Sequence, residues 1–149
     1  MALAEEVDCA FLAGVARHTL LTTAARAGDP ATAPSRFEPL IDTWHGMGSW
    51  TQLWIAVRAL AEALSRHGRH RDAAVLVGAL RASPRATAEY GVDPTRVRAV
   101  VAAALGPELD RVMAEGAALG DTGAVALARR LAGGAATAEP ARHPVAARP

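Results

Sequence analysis

"WHGMGSWTQLWIAVRALAEAL" (residues 44–64) holds all three tryptophans of the chain and its cleanest helical stripe. Trp50, Leu53, Trp54, Val57, Leu60, Ala61 and Leu64 recur three or four positions apart, the spacing of one helix face. Upstream, Phe37, Leu40, Ile41 and Trp44 repeat that spacing. Between the two stripes Gly46-Met47-Gly48 interrupts the helical pattern, and Ser49 stands where an N-cap belongs. Two apolar stripes joined by a short glycine turn predict an antiparallel helical hairpin, because consecutive helices on a short connection must lie side by side.

Outward from this hairpin the punctuation continues. A first helix is expected from about residue 4 to Ala27, stopping at Gly28, with Asp29 and Pro30 capping and opening the second. The helix from Trp50 ends at Gly68. A fourth turns Ala73, Leu76, Val77 and Leu80 inward and closes at Pro84. Val92-Asp93-Pro94 starts a fifth with Val97, Val100, Val101 and Ala104 inward, and Gly106-Pro107 separates it from a sixth marked by Leu109, Val112, Met113 and Gly116. Gly120-Asp121 starts a seventh with Val125, Ala128 and Leu131. No segment alternates strictly with period two, so a sheet is not expected, and the fold class is all-α with about seven helices. From residue 133 to 149 the apolar period is lost among prolines, and a disordered tail is expected after a domain spanning 1–132.

The chain is also offset-similar to itself. Shifted by forty residues, Leu20 falls on Leu60, Arg26 on Arg66, Gly28 on Gly68, Ala33 on Ala73 and Leu40 on Leu80. Each unit is a helix, a glycine turn and a second helix, with small residues where helices approach closely. In the second unit Leu60-Ala61, Leu64, Gly68, Ala73 and Pro84 follow the order of a tetratricopeptide (TPR) motif, while Arg17 and Ala24 replace larger apolar residues in the first. The expected architecture is therefore TPR-like: antiparallel hairpins stacked as a right-handed superhelix.

Composition narrows the function. Half of the 149 residues are apolar, largely alanine, and only 4% are aromatic, which favours close-packed helices. The formal charge of +1 supplies no field to hold nucleic acid or an anionic membrane surface, so neither is expected as a direct partner. All sixteen basic residues are arginine, as codon bias in a GC-rich genome would produce, and the missing lysine excludes a Walker-type phosphate loop and Schiff-base chemistry. A single cysteine, Cys9, no basic leader and no long uncharged apolar run fit a cytoplasmic chain.

Candidate chemistry is sparse. Trp44, Trp50 and Trp54 form either a wedge between helices or, with His45 and Gln52, the wall of a pocket for a flat ligand; the helical spacing favours the wedge. His67-x-x-His70 has zinc-ligand spacing with Asp72 or Glu62 nearby, but Gly68 and the surrounding basic residues oppose a cation. Cys9 and His18 are too far apart on one helix to act as a dyad, Asp110 and Glu115 diverge, and Gly-Met-Gly-Ser49 lacks the nucleophile-elbow pattern. Arg81, Arg85, Arg96 and Arg98 make a basic rim around one loop. No catalytic, metal or cofactor constellation is expected, so no enzyme.

The Gly28-Asp29-Pro30 turn, Trp44, Gly48-Ser49-Trp50, Leu53-Trp54, Leu60-Ala61, Gly68, "DAAVLVGAL" (72–80), Tyr90-Gly91-Val92-Asp93, Leu105-Gly106 and "AEGAALG" (114–120) resemble the C-terminal helical region of large actinobacterial regulators. Those proteins join a signalling ATPase to TPR-like repeats, and some add a LuxR-type or SARP-type DNA-binding domain or a nucleotide-cyclase domain. The resemblance spans about residues 10 to 131 and rests on packing and turn residues. It implies an ATPase with a phosphate loop and a DNA-binding or cyclase module, for which the residues are not found here, and so leaves a sensing or scaffolding module for transcriptional regulation and signal transduction. The forty-residue repeat without a reactive cluster points to a non-catalytic module that binds a protein or peptide, an ATPase domain in trans being one candidate partner. An uncovered first helix, where an upstream repeat would stack, would favour a homodimer. The alternative is a small-molecule sensor with a tryptophan-lined pocket.

Overall fold

The computed structural model describes residues 9–27, 34–86 and 94–134, and among these it is helical throughout, with no strand. The α-helices are α1 (Ala10–Ala27), α2 (Glu38–Gly46), α3 (Trp50–Arg66), α4 (His70–Ala82), α5 (Pro94–Leu105), α6 (Leu109–Ala117) and α7 (Gly120–Ala132). Short 3-10 turns precede α2 (Pro34–Phe37) and α6 (Gly106–Glu108). The all-α expectation holds. The caps expected at Asp29-Pro30 and Val92-Asp93, the extension of α1 back to residue 4 and the tail from residue 135 lie outside the described residues.

The turns form for backbone reasons. Gly48 and Gly68 occupy the left-handed region at φ 64° and 75°, which a side chain would disfavour, and they reverse the chain from α2 into α3 and from α3 into α4. Ser49 takes the N-cap position of α3 but makes no capping hydrogen bond through its side chain.

Burial then follows from how many neighbours each helix has. α3 packs against α1, α2, α4, α5 and α7, and every residue from Leu53 to Ser65 is buried. Its alanines are what permit this: Ala56, Ala59, Ala61 and Ala63 face neighbours that a larger side chain would hold away. α4 is the second central helix, in contact with α3, α5, α6 and α7. Its closest crossing is with α6. A methyl group built on Gly78 would overlap the carbonyl of Met113, and one on Gly116 would overlap the carbonyl of Val75. Two glycines thus bring the backbones together face to face.

The last helix closes the bundle. α7 packs against α2, α3, α4 and the 3-10 turn at Pro34–Phe37. Arg129 Nε donates to Asp42 Oδ1 at 2.6 Å, and Arg69 Nη1 donates to the Leu131 carbonyl at 3.0 Å. In a stack of hairpins each unit touches only its neighbours in order. Here α7 contacts α2 and its 3-10 lead-in as well as α3 and α4, so the described helices gather around α3 and α4. The short 3-10 lead-in to α2, with Phe37 fully buried against this core, gives α7 an apolar seat. Among the described residues no helix is long and apolar enough to cross a membrane.

Candidate functional site

The five residues singled out from the sequence separate into two groups. Trp44 and Trp54 are core, with 0% and 1% of their surface exposed. Trp44 is covered by α1: the Phe11 ring meets it edge-on at 5.5 Å, and the backbone of Gly14 lies so close that a methyl group there would collide with the indole. That is the wedge arrangement, an indole clamped between one hairpin and the helix before it. Among the described residues neither indole N–H of this pair has a hydrogen-bond partner, which fits rings held by packing.

Trp50 is different. It opens α3, is half-buried, and packs against the core. The Arg85 guanidinium lies 4.5 Å from the ring centre, and the His45 ring meets it edge-on at 6.0 Å. Gln52 is half-buried in the first turn of α3. The three indoles therefore do not line one cavity wall: two are inside, and the third lies at the surface with His45.

Three other elements complete this face. Arg85, on the turn after α4, also approaches Asp121 on α7, Nε to Oδ2 at 3.6 Å. Arg129 on α7 holds Asp42 on α2 and points Nη2 at His45 Nδ1, 3.4 Å away. The result is a strip running Asp42, Arg129, His45, Trp50, Arg85, Asp121, in which each charge has an opposite partner and the indole lies in the middle. A half-exposed aromatic framed by arginines is the residue set that concentrates energy in protein interfaces. Its charged groups neutralise one another, and its imidazole nitrogen already faces a donor, which suits recognition better than proton transfer.

Arg85 was visible in the sequence as part of a basic rim, but the rim does not stay together. Arg81 and Arg98 are exposed, Arg85 goes to Trp50, and Arg96 goes to a cleft between α3 and α5. Asp42, Asp121 and Arg129 were not visible as site residues, since only the return of α7 onto α2 brings them in. In the His67-x-x-His70 pair, His67 Nδ1 lies 2.8 Å from the Ala63 carbonyl near the end of α3, and among the described residues no three metal-ligand side chains cluster. No family model, no curated protein and no solved structure matches the chain.

Proposed function

We propose that this chain is a non-catalytic helical interaction module that docks a protein partner on the Trp50 face, in a regulatory role. The observation that carries the reading is the unequal treatment of the tryptophans. Two are consumed by the core, while Trp50 is presented at the surface between Arg85 and His45 on a frame of paired charges. Hot spots of interfaces are enriched in Trp and Arg because a large flat apolar surface joined to a fixed donor gains much on desolvation. The resemblance to the C-terminal region of ATPase-type transcriptional regulators supplies the partner class: a signalling ATPase domain acting in trans.

The test is affinity capture with three immobilised forms of the folded chain, wild type, Trp50→Ala and Leu20→Ser, followed by identification of what is retained. Leu20 is 60% exposed on α1 and is not one of the residues that frame Trp50. The expected result is one identified protein held by wild type and Leu20→Ser and lost by Trp50→Ala. Equal retention by all three would overturn the assignment of the face.

A further inference from the structure

A second feature lies away from the Trp50 face. Between the C-terminal half of α3 and the start of α5 is a cavity of about 160 Å³ lined by Glu62, Ser65, Arg66, Arg96, Val97 and Val100. A single water needs only ~10–15 Å³, so the space suits a small molecule. Its polar groups are unusual for their position. Ser65 is only 6% exposed, and its hydroxyl has no hydrogen-bond partner. In a helix interior such a hydroxyl ordinarily bonds the carbonyl four residues back, and a buried polar group left alone costs about 1–3 kcal/mol. Glu62, one turn before it, is also buried at 6%. Its Oε1 accepts from Arg66 Nη2 at 3.1 Å, and no bond to its other oxygen is formed among the described residues. Arg96 stands across the cleft on α5, next to buried Val97 and half-exposed Val100.

We infer that this cleft binds a small zwitterion, an α-amino acid with a short apolar side chain. The chemistry of the lining selects it. A simple anion would leave the second oxygen of Glu62 without a donor, and a simple cation would be opposed by Arg66 and Arg96. A ligand with both charges satisfies both: its ammonium donates to the unused oxygen of Glu62 and its carboxylate accepts from Arg96. Val97 and Val100 supply an apolar wall for a short side chain. The site is independent of the Trp50 face and would make the module responsive to a metabolite.

The experiment is isothermal titration of the whole chain with L-valine, isobutyrate and isobutylamine, which share an apolar group and differ in charge. Wild type is expected to bind L-valine and to bind neither singly charged analogue measurably. Glu62→Gln and Arg96→Ala should each weaken L-valine about tenfold or more, the scale of a charged hydrogen bond. Should the buried Glu62→Gln variant fail to fold, Arg96→Ala and Val100→Trp decide, since both positions are exposed and the indole would fill the mouth of the cleft. Loss of L-valine binding in both supports the site. Binding of isobutyrate as tightly as L-valine, no binding to wild type, or unchanged binding in Arg96→Ala and Val100→Trp overturns it.

Discussion

The guanidinium of Arg85 lies 4.5 Å above the ring of Trp50, so the turn after α4 is laid across the first residue of α3. The contact is partly exposed, and at such sites a cation over an indole contributes about 0.5–1 kcal/mol. Arg85→Ala is therefore expected to lower unfolding stability by about that amount, and urea denaturation checks it. In a double-mutant cycle with Trp50→Ala, most of the loss should appear as coupling between the two positions.

Trp54→Ala should be far more damaging than Trp50→Ala, although the two lie one turn apart on the same stripe. Trp54 is 1% exposed, and emptying such a site costs about 3–5 kcal/mol, whereas half-buried Trp50 can be truncated with a smaller loss. Midpoints of urea unfolding for the two variants, with unchanged slopes, measure the difference.

Gly78→Ala and Gly116→Ala set two effects against each other. In an open helix the change would gain up to about 1 kcal/mol from propensity. At these positions the new methyl group overlaps a backbone carbonyl of the facing helix, which cannot swing away, so steric cost wins and each variant should lose about 3 kcal/mol or more. Gly46, with nothing within 4 Å of the added carbon, is the control and should change by less than about 1 kcal/mol. Thermal melts followed by circular dichroism report all three.

Asp42 and Arg129 join α2 to α7 with side chains 54% and 38% exposed, so solvent screens the pair. Asp42→Asn is expected to cost about 0.2–1 kcal/mol, an effect that shrinks as salt is raised. The exchange Asp42→Arg with Arg129→Asp should recover much of the loss, and a salt series of denaturation curves tests both statements.

How far the sequence carries depends on whether a residue's surroundings are local. The α6 stripe of Leu109, Val112, Met113 and Gly116 is buried as its spacing requires, because α6 lies with that face on α4. In α5 the same reasoning is half right: Val97 and Val101 are buried, but Val100 is 44% exposed and Ala104 is exposed, since among the described residues the helices that flank it are α3, α4 and α6. The forty-residue offset aligns Leu20 with Leu60, yet one is 60% exposed and the other fully buried. Periodicity gives each the same helical position; the number of helices packed around it is a long-range property that spacing does not encode. Leu60→Ala should accordingly cost about 2–5 kcal/mol and Leu20→Ala less than about 0.5 kcal/mol.

The candidate site was legible to the same degree. Trp50 and His45 are near neighbours in sequence and meet as expected of a tight turn. Arg129 and Asp121 reach them because α7 packs onto α2, a long-range contact that spacing does not encode. The orphaned Ser65 hydroxyl was equally hidden, since a serine on the polar-looking end of a helix gives no sign that α5 will cover it.

The most direct test is acrylamide quenching of tryptophan fluorescence in two variants, Trp50→Phe and the double Trp44→Phe/Trp54→Phe. With Trp50 removed, the remaining emission should be blue-shifted and resist quenching, because both indoles are sealed in the core. With only Trp50 left, emission should be readily quenched. Strong quenching of the Trp50→Phe variant, or a protected Trp50 in the double variant, would contradict the division of the tryptophans between core and docking face.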